Sequence, residues 1–286
     1  MRYTVRAPGS LGECLGRLLA EASGRTRKQL LASGRVRVNG TTARRADVAL
    51  VAGDVVELAT RGSHATLLPP GLRLLHEDDD VIVVDKPAGL LTIATEHERR
   101  RTVYAHLTTL ARSRKPPRRV FVVHRLDRLA SGLIVFATSP DAKRMLQAQF
   151  AAHTVERTYL AVVEGQVARA AGTVVGRLLD HAPGPVRLTR DPQRGRPAVT
   201  HWRLVRAAKR HSLLEVRLET GRRNQIRVHL AQVGHPIAGD AAYGSRTDPF
   251  GRLALHAHVL AFDHPATGAR MRFVSPPPAA FAKLPI

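Results

Sequence analysis

Strand-forming runs recur along the chain from about residue 80 onward, and no regular alternation of strand and helix connects them. Val81 to Val84 form a continuous apolar run, and "VVHRLDRLASGLIVF" (122–136) opens and closes with apolar residues. "TYLAVVEG", "SLLEVRLETG", "LALHAHVLAF" and "RMRFVSPPP" follow. In the second of these, Leu214, Val216 and Leu218 oppose Glu215, Arg217 and Glu219, the two-residue period of a half-buried strand. Helices intervene irregularly. One runs through "VYAHLTTLA". Another opens at Ser139-Pro140, with Ala142, Met145, Leu146 and Phe150 inward. A third runs from about Asn224 to Val233, with Ile226, Leu230 and Val233 inward and Gly234-His235-Pro236 as its stop. This pattern predicts an α+β fold with a mixed, mainly antiparallel sheet flanked by helices, because doubly wound folds need regular strand–helix alternation.

The first 60 residues read as a separate small α/β domain. Leu11, Cys14, Leu15, Leu18 and Leu19 share one helical face. Ser23-Gly24 breaks that helix, and a second follows over "RTRKQLLASG", with Gly34 as its stop. "RVRVNG" alternates and ends in Asn39-Gly40, a tight-turn signal. "GDVVEL" adds a short strand. Residues 61–71, ending in Pro69-Pro70-Gly71, form the expected linker, and 72–286 the larger domain. A single cysteine excludes an intrachain disulfide and any zinc site built on several thiolates. Cys14 reads as a small core residue.

Charge separates the partner classes. Lys and Arg number 45 against 23 Asp and Glu, a net +22. A coding bias accounts for Arg over Lys but less well for so few acids. The excess positive field suits a polyanion. No basic amphipathic helix with an aromatic-rich apolar face points to a membrane surface, and no run approaches the ~18 apolar residues of a span. The N-terminus lacks the apolar stretch of a secretory signal. Nucleic acid and a cytoplasmic location are the expectations.

Three segments carry candidate chemistry. In 122–136, Asp127 lies between Arg125 and Arg128, followed by an Ala130-Ser131-Gly132 that reads as flexible. Neighbouring arginines stabilise a carboxylate anion, so Asp127 is expected to stay ionised. Two readings stay open: a structural Asp–Arg bridge at a strand end, or a fixed anion or nucleophile facing a cleft. In "ETGRRNQIRVHL" (219–230), Arg222, Arg223 and Asn224 stand at a helix start and Arg227 one turn inside. Arginine there opposes the helix dipole, which favours a phosphate-binding use over an ordinary basic turn. In "RTYLAVVEG" (157–165), Tyr159 is either core or a stacking surface for an extracted base. The N-terminal domain adds Arg25, Arg27, Lys28, Arg35 and Arg37, clustered with few acids among them. His256-Ala257-His258 offers two imidazoles on one strand face, with no cysteine or carboxylate to complete a metal set. No phosphate-loop, dinucleotide or zincin signature occurs.

Over most of 72–278 these segments resemble the pseudouridine synthases of the RluA type, which modify ribosomal large-subunit or transfer RNA. "HRLDRLASGLIVFA" is similar to the family's motif around its catalytic aspartate. "DKPAGLL", "RTYLAVVEG", "TGRRNQIRVHL", "GHPIAGDAAYG", "LHAHVLAFDHPATG" and "FVSPPP" follow in the family's order. Ala130 stands where the family frequently has threonine, and Asn224 where it frequently has histidine. The N-terminal stretch "LGRLLAEASGRTRKQLLASGRVRVNG" with "VAGDVVEL" resembles the ribosomal-protein-S-four-like RNA-binding module. The resemblances imply Asp127 as the nucleophile, Arg227 as the arginine paired with it and Tyr159 as the aromatic packed on the target base. They also imply Arg125 as a holder of the everted nucleotide, structured RNA as the partner, a monomer, and no cofactor or metal.

Overall fold

The computed structural model describes residues 2–20, 22–32, 36–58, 68–180 and 184–283. The chain divides into two compact units, Met1–Pro69 and Pro70–Ile286. Among the described residues no helix is long and apolar enough to cross a membrane.

In the first unit, strands β1 (Arg2–Thr4) and β2 (Gly9–Ser10) precede helix α1 (Leu11–Leu18). Ser10 and Glu13 form a reciprocal capping box that starts α1. Leu11, Cys14 and Leu15 are buried in its core, as their spacing predicts. Helix α2 (Gly24–Ala32) begins at the glycine expected only to break α1, and the Ser23 hydroxyl accepts the Thr26 N–H there. Strands β3 (Val36–Val38) and β4 (Thr41–Ala43) form a hairpin. Asn39 and Gly40 at its tip are both left-handed, with φ of 50° and 78°. β5 (Ala49–Leu50) pairs with β2, and β6 (Val55–Leu58) completes a four-stranded sheet in the order β1-β6-β3-β4. Of the basic residues expected here, Arg25, Lys28 and Arg37 are exposed, while Arg27 is half-buried and donates to the Leu19 carbonyl. Arg35, the Gly34 stop and most of the 61–71 linker lie outside the described residues.

The second unit is built on an 11-stranded sheet. Its strands are β7 (Arg73–Glu77), β8 (Val81–Lys86), β9 (Phe121–Val122), β10 (Ser131–Ala137), β11 (Glu156–Glu164), β12 (Ala171–Leu179), β13 (Arg187–Thr189), β14 (Arg196–Ala207), β15 (His211–Leu218), β16 (Leu255–Asp263) and β17 (Arg270–Val274). They run β13-β12-β14-β15-β11-β16-β10-β8-β7, with β9 beside β10 and β17 beside β16. Every pairing is antiparallel except β10 with β16, so the sheet is mixed and mainly antiparallel. β8 and β10 are buried along their whole length, which is why they read as continuous apolar runs rather than alternating ones. Among the described residues four α-helices accompany the sheet: α3 (Val103–Arg112), α4 (Pro140–Ala151), α5 (Gln225–Gln232) and the short α6 (Ala279–Ala282). α4 is capped by Ser139 and lays Ala142 and Leu146 on Val81, Val83, Leu133 and Val135.

Three expectations need correction. Met145 is 51% exposed, because α4 buries only a narrow stripe of residues four apart. Val233 is 41% exposed, because it lies past α5 as the C-cap before left-handed Gly234. Ala130, Ser131 and Gly132 are not flexible: all three are buried at the start of β10.

Gly132 has φ of 110°, and a Cβ there would lie 2.2 Å from the Ala257 carbonyl oxygen on β16. Ala257 stands opposite Gly132 on one side and Tyr159 on the other, so the three residues form one row across β10, β16 and β11. Gly132→Ala is expected to destabilise the protein by more than about 2 kcal/mol, since both the backbone conformation and the strand spacing must give way. Chemical denaturation measures this, and a loss under about 0.5 kcal/mol would contradict the close approach.

Candidate active site

The loop between β9 and β10 delivers Asp127, and its backbone is fastened on both sides of that residue. The Thr92 hydroxyl donates to the Leu126 carbonyl at 2.8 Å and accepts the Leu126 N–H at 3.2 Å. On the other side, the fully buried Lys86 Nζ donates to the carbonyls of Arg128 (3.2 Å) and Ala130 (2.6 Å), and also to those of Pro87 (2.9 Å) and Leu90 (2.8 Å). Burial pulls Lys86 down to about 7, with the negative charges of Asp127 and Asp85 acting the other way against Arg252. A second tie joins the same loops, where Gly89 N–H donates to the Arg128 carbonyl and Arg128 Nε to the Gly89 carbonyl.

Asp127 and Arg227 come together, as expected, but less closely than a hydrogen-bonded pair. Arg227 Nη1 stands 3.7 Å from Asp127 Oδ2. The guanidinium fork is committed instead to Asp240, with Nε and Nη2 each 2.7 Å from a carboxylate oxygen. Nη1 also donates to the Asn224 side-chain oxygen at 3.0 Å, and the guanidinium lies 4.8 Å from the Tyr243 ring centroid. Burial would lower the Arg227 guanidinium, but the bonds to Asp240 and the charge of Asp127 carry it above its ordinary range. Arg227 is therefore a fixed cation positioned beside Asp127 by α5 and the buried Asp240.

The neighbouring arginines do favour the Asp127 anion, as expected, but burial acts against them. Burial raises its carboxyl above the ordinary value of 3.8, while Arg227 and Arg125 oppose the rise without reversing it. The acid limb of kcat/KM for a reaction that needs this carboxylate should then lie above pH 3.8. Arg125 is exposed, and removing its charge favours the protonated acid, so Arg125→Gln should move that limb further upward. A limb at or below the ordinary value, or a downward move in the variant, would refute this balance.

Tyr159 projects into the same cleft, which has a volume of about 710 Å³. Burial raises its phenol, with Asp127 adding and Arg157 opposing, so it remains an O–H at neutral pH. Arg125, Arg222 and Asn224 also line the cleft, whereas Arg128 and Arg223 do not. Arg223 pairs with Asp180 and donates to the Gly184 carbonyl, facing a neighbouring depression that Arg125, Arg196 and Arg222 also line. Asn224 is left-handed (φ 54°), and its side chain bridges Arg227 and the Tyr243 hydroxyl rather than capping α5. Arg222 and Arg223 precede α5 instead of opposing its dipole from within the first turn.

Asp240, Thr92, Lys86 and Arg157 belong to this site and received no role from the sequence. Arg157 is buried in the cleft wall and donates to the Leu218 and Glu219 carbonyls. The one available signal for Asp240 was a carboxylate set among small residues in an acid-poor chain. His256 and His258 pack internally: His256 contacts Ser131 and the Ser275 carbonyl, and His258 contacts the same carbonyl. Among the described residues, Asp78, Asp80 and His264 bring ligand atoms within 4.8 Å of one another. The Asp78 carboxylate there already accepts the Asp80 and Val81 N–H groups, fastening the turn before β8.

Residues 80–232 match the family described as RNA pseudouridylate synthase. The chain is 38% identical over 299 residues to an RNA pseudouridine synthase of Synechocystis, covering 97% of this chain and 90% of that one. It is 35% identical over 265 residues to ribosomal large subunit pseudouridine synthase D of Pseudomonas aeruginosa, covering 87% and 82%. Among solved structures, human RNA pseudouridylate synthase domain containing 4 aligns with a TM-score of 0.60 at 24% identity, over 73% of this chain and 90% of that one, which shows the shared fold.

Proposed function

The chain belongs to the RNA pseudouridylate synthase family and is an RNA pseudouridine synthase, and from that premise we propose that Asp127 carries out the isomerisation on uridines of large-subunit ribosomal RNA. The observation that carries the assignment is the Asp127 carboxylate, on a loop whose backbone is fastened on both sides, in an open cleft 3.7 Å from the fixed Arg227 and shared with Tyr159.

The target uridine leaves its stack to reach this depth. Tyr159 packs on the base, and Arg125 and Arg222 hold the backbone on either side. Asp127 promotes cleavage of the N1–C1′ bond by attack on C1′, attack on C6 or removal of a sugar proton. The uracil turns, C5 bonds to C1′, C5 loses its proton and N1 gains one, so substrate and product are isomers. The target class rests on relatives named for the ribosomal large subunit and on the net +22 charge; transfer RNA is the second candidate. Binding of structured RNA by the S-four-like N-terminal module, monomeric action and a cytoplasmic location belong to the same reading.

Ribosomal RNA labelled with tritium at uridine C5 tests it. Tritium should be released in step with pseudouridine formation, with the RNA remaining full length. Release from transfer RNA alone would move the target class, and shortened RNA products would point to strand cleavage instead.

A further inference from the structure

One edge of β10 has two partial neighbours. β16 pairs with Ser131 and Gly132, and β9 pairs with Phe136 and Ala137. The chain leaves β9 at Val122, so no strand meets the Val135 N–H between them. The imidazole of His124 fills that rung, with Val135 N–H donating to Nε2 at 3.1 Å. A ring nitrogen that accepts a hydrogen bond carries no proton, so the neutral imidazole keeps its hydrogen on Nδ1. Burial acts in the same sense, pushing His124 down to about 3 with the help of the Arg157 charge.

The ring is held from the side as well. It lies 4.6 Å from the Phe150 ring centroid, and the Arg157 guanidinium lies 5.3 Å from the same ring. All three side chains line the cleft that contains Asp127 and Tyr159. Among the described residues Nδ1 has no hydrogen-bond partner, and it is not one of the buried polar atoms left unpaired, so it opens onto the cleft.

We propose that His124 contacts the substrate, its Nδ1–H donating a hydrogen bond to a carbonyl oxygen of the everted uracil. The inference rests on the reading of the Asp127 cleft as the uridine site. A neutral donor suits a neutral carbonyl, and the arginines of the cleft suit phosphates. The donor sense is also locked: moving the proton to Nε2 would surrender the Val135 rung. Directed at O4, a locked donor rejects cytosine, which presents an amine there, because two donors then face each other.

The cleanest test replaces His124 with Nδ1-methylhistidine, which keeps the Nε2 acceptor and deletes only the donor. With the thermal midpoint unchanged, kcat/KM on the natural RNA should fall tenfold or more, on the order expected for an unpaired buried carbonyl. RNA carrying 2-thiouridine or 4-thiouridine at the target weakens one acceptor at a time. One of these should depress the wild type and add nothing further in the variant, which identifies the oxygen. Unchanged kcat/KM in the variant, or additive losses with both thio-RNAs, would overturn the proposal. Nitrogen-15 NMR of the free enzyme reads the tautomer without any activity. A bare Nε2 from pH 5 to 8 is expected, and a protonated Nε2 or a titration near pH 6.5 would overturn it. Failure of the underlying site reading is a separate result, seen as isomerisation that persists in Asp127→Asn.

Discussion

Asp127→Asn is expected to abolish uridine isomerisation, by at least about a thousandfold, while leaving the fold and RNA affinity intact. The amide fills the same space but is neither a base nor a nucleophile. The fold should tolerate it because, among the described residues, the carboxylate makes no hydrogen bond and its ion pair with Arg227 spans 3.7 Å. Burial already works against the charged form, so losing the charge should leave the thermal midpoint equal or higher. Arg125, Arg222 and the other basic side chains that would meet RNA are untouched. Activity within tenfold of the wild type would remove Asp127 from the mechanism. Activity lost together with folding would make its role structural, which is the bland reading the sequence allowed.

Asp240→Leu should be the most damaging substitution to stability in the neighbourhood of the cleft. Its carboxylate is buried and holds both Nε and Nη2 of Arg227. Removing it strands a largely buried guanidinium, which costs about 3–5 kcal/mol, more than an ordinary surface substitution by nearly an order of magnitude. Isomerisation should fall as well, because Arg227 loses the contact that aims it at Asp127. The double variant Asp240→Leu/Arg227→Leu separates the two effects. It should recover most of the stability, since no unpaired charge remains, and recover none of the activity. Denaturant titration of the three proteins reads the first effect, and tritium release the second. A double variant no more stable than Asp240→Leu would mean that packing, not charge, dominates at this position.

What the sequence made legible follows local rules. The alternation in β15, the Ser139-Pro140 start of α4 and the Asn39-Gly40 turn each depend on neighbours a few residues away, and each stands in the structure as the pattern predicts. The order of quoted segments likewise pointed to the right family. What stayed hidden depends on contacts between distant parts of the chain. Nothing within reach of Arg227 in the sequence shows that Asp240, rather than Asp127, takes its fork. Nothing near Leu126 shows that Thr92 pins it. The balance at Asp127 was hidden for the same reason: the arginines that favour its charge are visible in the sequence, but the burial that opposes them is not. Met145 shows the limit of periodicity, which tells where a helical face points but not how wide a stripe the sheet will accept.

Lys86 gathers four carbonyl oxygens from two loops that are otherwise far apart in sequence. It organises them as a chelated ion organises its donors, with the difference that this ion is covalently tethered and cannot be washed out. The shape of the reactive loop therefore depends on the hairpin of β7 and β8 being docked against it. A molecule caught with that hairpin loosened would still attract RNA to its basic surface, yet it would be silent, its acid present but aimed at nothing.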